Sequence, residues 1–290
     1  TGLQRPATIR KVRPPMIHKT FKGQRLPALG FGTWHLRGDH AVHMVRHALD
    51  VGYRHIDTAT RYENESEIGQ ALRDSGIDRG EVFVTTKIRW NQLDPDEIEA
   101  CTRESLARLG LDQVDLLMPH WPSKVHDNAQ VMRAFERVRD KGLTRHIGLS
   151  NFTTALMRQA VAAGGDSLLG NQVEYHPYLS QERLLSLLRS HDISLTAAVP
   201  LARGLVNEDA VIRYISEALG KTPSQVTLRW LVQQDNVIAI PKSGQPERVR
   251  ANFEIFDFAL SPDEMAAISA GLGNRRLVDL EFSPVWDPGP

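Results

Sequence analysis

From residue 29 onward, short runs of apolar and β-branched residues alternate with longer stretches whose apolar positions recur at i, i+3, i+4 and i+7. These are the periods of a buried strand and an amphipathic helix. The strand-like runs are LGFGT (29–33), RHIDTA (54–59), VFVTTKI (82–88), VDLLMPH (114–120), RHIGLS (145–150), GNQVEY (170–175), SLTAAVP (194–200) and NVIAIPK (236–242). Between them, seven segments read as helices: 39–52, 64–76, 95–110, 127–142, 153–165, 180–192 and 224–235. Several open on Asn, Asp, Ser or Thr and stop at Gly, the usual cap residues. Strands separated by helices of this length pair in parallel through right-handed crossovers, and eight such units close a barrel. Segments 206–220 and 261–273 add two helices outside that count, and a loop follows them. The predicted fold class is therefore α/β, a (β/α)8 TIM barrel over residues 16–290 with two additional helices and a C-terminal loop. A doubly wound sheet would carry a GxGxxG turn after its first strand. GFGTW (30–34) lacks the third glycine and the helix start.

Composition narrows the partner. Hydrophobic residues make up 41% and charged residues 24%, ordinary for a globular chain with a sizeable core. Lys plus Arg and Asp plus Glu balance at 35 each, so no net field favours nucleic acid or an anionic membrane. No run approaches the roughly 18 apolar residues of a membrane span, and mean hydropathy is negative. The expectation is a monomer with a small-molecule partner, no nucleic acid and no membrane. Cys101 is the only cysteine, which excludes an internal disulfide and points to a reducing, cytoplasmic location. Its helical setting predicts a buried structural thiol. Residues 1–15 hold four basic residues, three prolines and no acid, without the apolar stretch of a secretory signal. They are expected to be a flexible N-terminal tail or an expression remnant, with Met16 a candidate native start.

In such a barrel the C-terminal ends of the strands converge on one mouth, where chemical residues gather. Here those ends are polar: Thr33 and Trp34; Asp57 with Tyr62 just beyond; Lys87; His120 and Trp121; Ser150 and Asn151; Gln172; then Lys242 and Ser243. Any one of them has a bland reading as a satisfied polar group. An acid, a phenol, an amine and an imidazole on three consecutive strand ends point instead to proton transfer. A tyrosine with a pKa near 10 needs help to act at neutral pH. A Lys ammonium about 4 Å away is expected to lower that pKa, by up to about 3 units before screening. An Asp paired to the Lys keeps it charged, and the imidazole can hold a substrate oxygen. These side chains carry no hydride, so carbonyl reduction by this set needs a cofactor.

The motifs DTATRYENE, TTKIRW, LLMPHWP, IGLSNF, NQVEYHPY and IPKSGQPERVRANF follow one another in an order that resembles the aldo-keto reductase family across residues 16–290. Within it, the chain resembles the bacterial 2,5-diketo-D-gluconate and methylglyoxal reductases. The resemblance implies a catalytic tetrad of Asp57, Tyr62, Lys87 and His120, with Tyr62 protonating the carbonyl oxygen of a small aldehyde or ketone. It implies NADPH as cofactor. Ser150, Asn151 and Gln172 would hold the carboxamide, and Gly32, Thr33, Pro200, Leu201 and Gly204 would lie along the cofactor. Lys242, Ser243, Arg248 and Asn252 would grip the adenosine end, with the two cations reading the 2′-phosphate. Trp34, Trp90 and Trp121, and in a further reading Trp286, would line the substrate pocket.

The chain departs from the family at Ala198, where an aromatic ring usually stacks on the nicotinamide. Arg89 stands where close relatives often carry Trp, and at the rim it would favour an anionic substrate, or else be a solvated cation. His40, His43 and His47 share one helix, but no acid or Cys completes a metal site, so none is predicted. Two other readings compete: a nicotinamide-binding regulatory or structural protein on the same barrel with little turnover, and a metal-dependent barrel hydrolase.

Overall fold

The computed structural model describes residues 16–289; the tail expected over 1–15 lies outside the described residues. A hairpin comes first, β1 (His18–Phe21) and β2 (Gln24–Pro27). The barrel follows as β3 (Phe31–Gly32), α1 (Gly38–Val51), β4 (His55–Asp57), α2 (Glu65–Asp74), β5 (Phe83–Ile88) and α3 (Ile98–Leu109). It continues through β6 (Val114–Pro119), α4 (Asn128–Asp140), β7 (Thr144–Ser150), α5 (Thr154–Ala162), β8 (Leu168–Glu174), α6 (Glu182–Ser190) and β9 (Ser194–Ala198). The last elements are α7 (Ala210–Leu219), α8 (Pro223–Gln233), β10 (Val237–Ala239), α9 (Pro246–Phe253) and α10 (Pro262–Ser269).

Strands β3 to β10 pair in parallel in chain order. A parallel bridge between Leu29 and Ala239 brings the two ends together, with the Gly30 N–H donating to the Ala239 carbonyl at 2.8 Å and the Gly32 N–H to the Pro241 carbonyl at 3.0 Å. The eight predicted strand runs all carry barrel pairing. The helices α7 and α10 are the two additional ones.

Strand β5 shows how alternation divides the barrel, since successive side chains on a strand point to opposite faces. Phe83, Thr85 and Lys87 turn inward: Phe83 packs in the interior cluster, Thr85 Oγ1 contacts His55, and Lys87 bonds Asp57. Val84, Thr86 and Ile88 turn to the helices, where Thr86 donates to Glu65 of α2 at 2.6 Å. The same Glu65 accepts from Ser105 at 2.5 Å and pairs with Arg108 of α3 at 2.8 Å, so the polar positions on this layer are satisfied. Cys101 on α3 is partly rather than fully buried, and burial pushes its thiol pKa up.

Two elements were not predicted. The hairpin turns at Lys22 (φ 47°) and Gly23 (φ 76°), consecutive left-handed residues that suit a two-residue hairpin loop. Its Phe21 and Leu26 pack on Leu116, Leu169 and Ile238, closing the barrel interior away from the mouth. Helix α9 completes the eighth unit after β10; it starts at Pro246 and buries only Val249, Asn252 and Phe253, too short a stripe for periodicity to mark.

Candidate active site

At the floor of the mouth lies a buried ion pair. Lys87 Nζ donates to Asp57 Oδ1 at 2.6 Å and to the Thr58 carbonyl at 2.8 Å, and neither side chain is more than 2% exposed. The other oxygen, Asp57 Oδ2, accepts from Gln172 Nε2 at 2.7 Å. Such a pair avoids a large desolvation penalty only when its remaining hydrogen-bonding capacity is met, as it is here. Burial alone would lower the Lys87 pKa, but Asp57 and Tyr62 outweigh it and hold the ammonium above its ordinary value.

Tyr62 sits above this pair. The chain leaves β4 at Asp57 and makes a single 3₁₀ turn, Thr60–Tyr62, ended by Glu63 in a left-handed conformation (φ 53°). That turn lays the Tyr62 ring over Lys87, whose Nζ is 5.3 Å from the ring centroid. The phenol pKa is raised, not lowered as the sequence led us to expect. Burial raises it more than Lys87 and Arg61 lower it. Tyr62 therefore keeps its proton well into alkaline solution. His120 follows β6 and meets Tyr62 edge-on, ring centroids 5.6 Å apart. Burial, then Lys87, Arg61 and Arg89, hold its pKa well below the ordinary value, so the imidazole is neutral near pH 7. Its Nδ1 is buried without a hydrogen-bond partner among the described residues, and the residue lines the cavity.

These groups face a cavity of about 350 Å³. Of the residues predicted for the site, Gly32, Thr33, Trp34, Asp57, Tyr62, His120, Trp121, Ser150, Asn151, Gln172, Pro200, Leu201 and Lys242 line it. Lys87 lies beneath, fully buried. Gly204 stands on the loop after β9 and does not reach the wall. Ser243 accepts from the Gln245 N–H at 3.1 Å just before α9, and Arg248 and Asn252 share a face of α9 one turn apart. Trp90 stands outside the wall, stacked on Phe282 at 3.9 Å. Trp286 packs on Arg276 and donates to Asp279 at 2.9 Å instead of lining the cavity. Arg89 is likewise off the wall, paired with Glu63 at 3.4 Å. Among the described residues no cluster of His, Cys, Asp or Glu has metal-binding geometry, and His47 contacts the Pro246 carbonyl.

The structure adds wall residues that the sequence did not single out: Arg61, Glu174, Val199, Arg203, Ile240, Pro241, Val278 and Leu280. Arg61 lay inside a quoted motif, next to Tyr62. Val278 and Leu280 arrive from the C-terminal loop, which Glu174 fastens to the barrel. Its buried carboxylate accepts from the Leu277 N–H at 2.7 Å and the Val278 N–H at 2.8 Å, and His176 lies 2.9 Å away. No local pattern marks contacts that span about a hundred residues.

The residues present fit a nicotinamide cofactor. Ser150, Asn151 and Gln172 place hydroxyl and amide groups on one side of the cavity, and Lys242 and Arg203 place cations at its edge. Asn151 takes a left-handed conformation (φ 62°), which Asn tolerates, and its Nδ2 donates to the His120 carbonyl at 3.0 Å. That leaves its Oδ1 available. At Gly32 an added Cβ would come within 3.1 Å of the Ile240 carbonyl, so glycine lets β3 lie against the last strand beside Lys242 without displacing it.

A closed eight-stranded barrel thus gathers a phenol, an imidazole and a buried Lys–Asp pair at its mouth, the place where barrel enzymes hold their active sites. The comparisons with known proteins make the class specific. Residues 28–271 match the model of the aldo/keto reductase family, and the chain belongs to that family of oxidoreductases. It is similar to the methylglyoxal reductase DkgB of Salmonella typhimurium, 38% identical over 90% of this chain and 99% of the relative. It is also similar to the 2,5-diketo-D-gluconic acid reductase B of a Corynebacterium species, 43% identical over 86% of this chain and 90% of the relative. The crystal structure of an aldo/keto reductase from Brucella melitensis superposes with a TM-score of 0.83 at 37% identity, covering 88% of this chain and 99% of that one. Among the described residues no helix is long and apolar enough to cross a membrane.

Proposed function

We propose that this protein reduces small aldehydes and ketones with NADPH, with Tyr62 as the general acid. The observation that carries this reading is the stack of the Tyr62 ring on Lys87, itself locked to Asp57 at 2.6 Å, at the floor of the cavity. Bound NADPH supplies the hydride that reaches the carbonyl carbon. As negative charge develops on the carbonyl oxygen, the Tyr62 hydroxyl donates its proton there, and the product leaves as an alcohol. The Lys87 ammonium beneath the ring stabilises the phenolate left behind until solvent reprotonates it, and Asp57 keeps that ammonium charged and fixed. His120, neutral, donates from Nε2 to the same oxygen and orients the substrate. Preorganised donors of this kind act where charge develops, in a site with little water.

Ser150, Asn151 and the side-chain carbonyl of Gln172 are suited to the carboxamide. Because Gln172 also donates to Asp57, it ties cofactor position to the proton donor. Lys242 and Arg248, both exposed beside the start of α9, support NADPH over NADH, since phosphate recognition is largely charge-assisted. The relatives named for methylglyoxal and 2,5-diketo-D-gluconic acid support 2-oxoaldehydes and keto-sugars as substrates. The enzyme acts as a soluble, cytoplasmic monomer in this reading. The test is steady-state kinetics with NADPH and NADH on methylglyoxal, glyceraldehyde and 2,5-diketo-D-gluconate. The expected result is turnover with a clear NADPH preference; cofactor binding without turnover would support a regulatory protein instead.

A further inference from the structure

Three cations line the cavity, and they divide by position. Lys242 and Arg203 come from the loops after the last two barrel strands, beside the residues suited to the cofactor. Arg61 is on the loop after β4, in the same 3₁₀ turn as Tyr62. Its guanidinium lies 4.8 Å from the Trp90 ring centroid and 5.7 Å from that of Phe282. Those two rings stack 10° from parallel and form a rigid aromatic rest for the guanidinium. Among the described residues no carboxylate, carbonyl or hydroxyl accepts a hydrogen bond from Arg61, so its donor fork is unspent.

The acids nearby are all engaged. Both oxygens of Asp57 are taken by Lys87 and Gln172. Glu174 accepts from the Leu277 and Val278 N–H groups, with His176 alongside. Glu63, next to Tyr62 in the chain, pairs with Arg37 and Arg89, each at 3.4 Å. Arg89, the cation the sequence offered for an anionic substrate, pairs with the same Glu63 and does not line the cavity, whereas Arg61 does.

We propose that Arg61 is a specificity-determining residue that binds a carboxylate carried by the carbonyl substrate, making short oxo-acids the preferred substrate class. A planar guanidinium with free N–H groups matches a carboxylate through two parallel hydrogen bonds. The adjacency of Arg61 and Tyr62 on one turn places such a carboxylate a few carbons from the oxygen that Tyr62 protonates. The proposal rests on the reductase reading above and names the substrate class of that same site.

The test compares kcat/KM for 4-oxobutanoate with that for its methyl ester, in the wild type, Arg61→Met and Arg61→Lys. The ratio of the two cancels any effect of Arg61 on Tyr62 or on folding. Wild type is expected to favour the acid, and Arg61→Met to lower the acid-to-ester ratio by about 30-fold, the scale of one charge-assisted hydrogen-bonded contact. Arg61→Lys should restore part of it. A ratio unchanged in Arg61→Met overturns the proposal, as does a wild type that prefers the ester. Glyceraldehyde 3-phosphate against glyceraldehyde is the second arm; a larger Arg61 dependence there would overturn the carboxylate assignment. Tryptophan fluorescence during titration with butanoate reads binding without turnover. Quenching lost in Arg61→Met, in a protein that reduces nothing, would sink the reductase reading while upholding the anion site; turnover without quenching or acid preference would do the reverse.

Discussion

At the residue scale the fold's most consequential interaction is the Lys87–Asp57 pair, because it is fully buried and sits under Tyr62, the proposed proton donor. Removing one partner leaves the other charge without compensation, which costs about 3–5 kcal/mol. Lys87→Met is therefore expected to lower unfolding free energy by about that much in urea titrations, and the double variant with Asp57→Asn to regain part of it. An equal loss in the single and double variants would contradict the pairing argument. That Asp57, Tyr62, Lys87 and His120 come together was legible in the sequence because each falls at or near a strand end. The sign of the Tyr62 shift was not, since proximity to Lys87 can be guessed from order along the barrel but the burial that outweighs it depends on the whole mouth. Arg61 was hidden for a similar reason: that it lacks an acidic partner among the described residues appears only once Glu63 is seen to be taken by Arg37 and Arg89.

At the scale of elements, the barrel strands and most helices were readable because their two periods are distinct and their caps ordinary. Ser261 and Glu264 form a reciprocal capping box at α10, and Thr222 and Gln225 another at α8, each behind a proline at the first turn. The C-terminal loop was expected as a loop, but its seat on the cavity wall was not readable, because what holds it there is Glu174 at the end of β8. Glu174→Gln replaces one accepting oxygen with an N–H₂ that opposes a backbone donor, at a cost of about 1–3 kcal/mol. Hydrogen exchange at Leu277 and Val278 is expected to quicken in that variant, with a rise in KM because Val278 and Leu280 line the cavity. Unchanged exchange at both amides would show that other contacts anchor the loop.

At the scale of the whole molecule, charge balance leaves stability to depend on particular buried groups as pH falls. Burial lowers the His55 pKa to about 4, and the ring is boxed between Thr85 and Phe83 inside the barrel. The unfolded chain takes up a proton at His55 below about pH 6.5 whereas the folded one does not until about pH 4. Stability is thus full above about pH 6.5 and declines as pH drops through that window, by about 3 kcal/mol from His55 alone. Chemical denaturation at pH 7 and pH 4.5 checks this, with His55→Asn giving the shallower loss; parallel losses in both proteins would assign the acid sensitivity elsewhere. In the alkaline direction burial keeps the Tyr62 pKa raised, so the proposed acid stays protonated at mildly basic pH. The whole account turns on that proton. NADPH oxidation with methylglyoxal, measured for wild type and Tyr62→Phe alongside NADPH affinity from fluorescence, tests it most directly. The prediction is a fall in kcat of about 10²–10⁴-fold, the range attributed to general acid catalysis, with NADPH affinity and unfolding midpoint preserved. Near-normal turnover in Tyr62→Phe would contradict it.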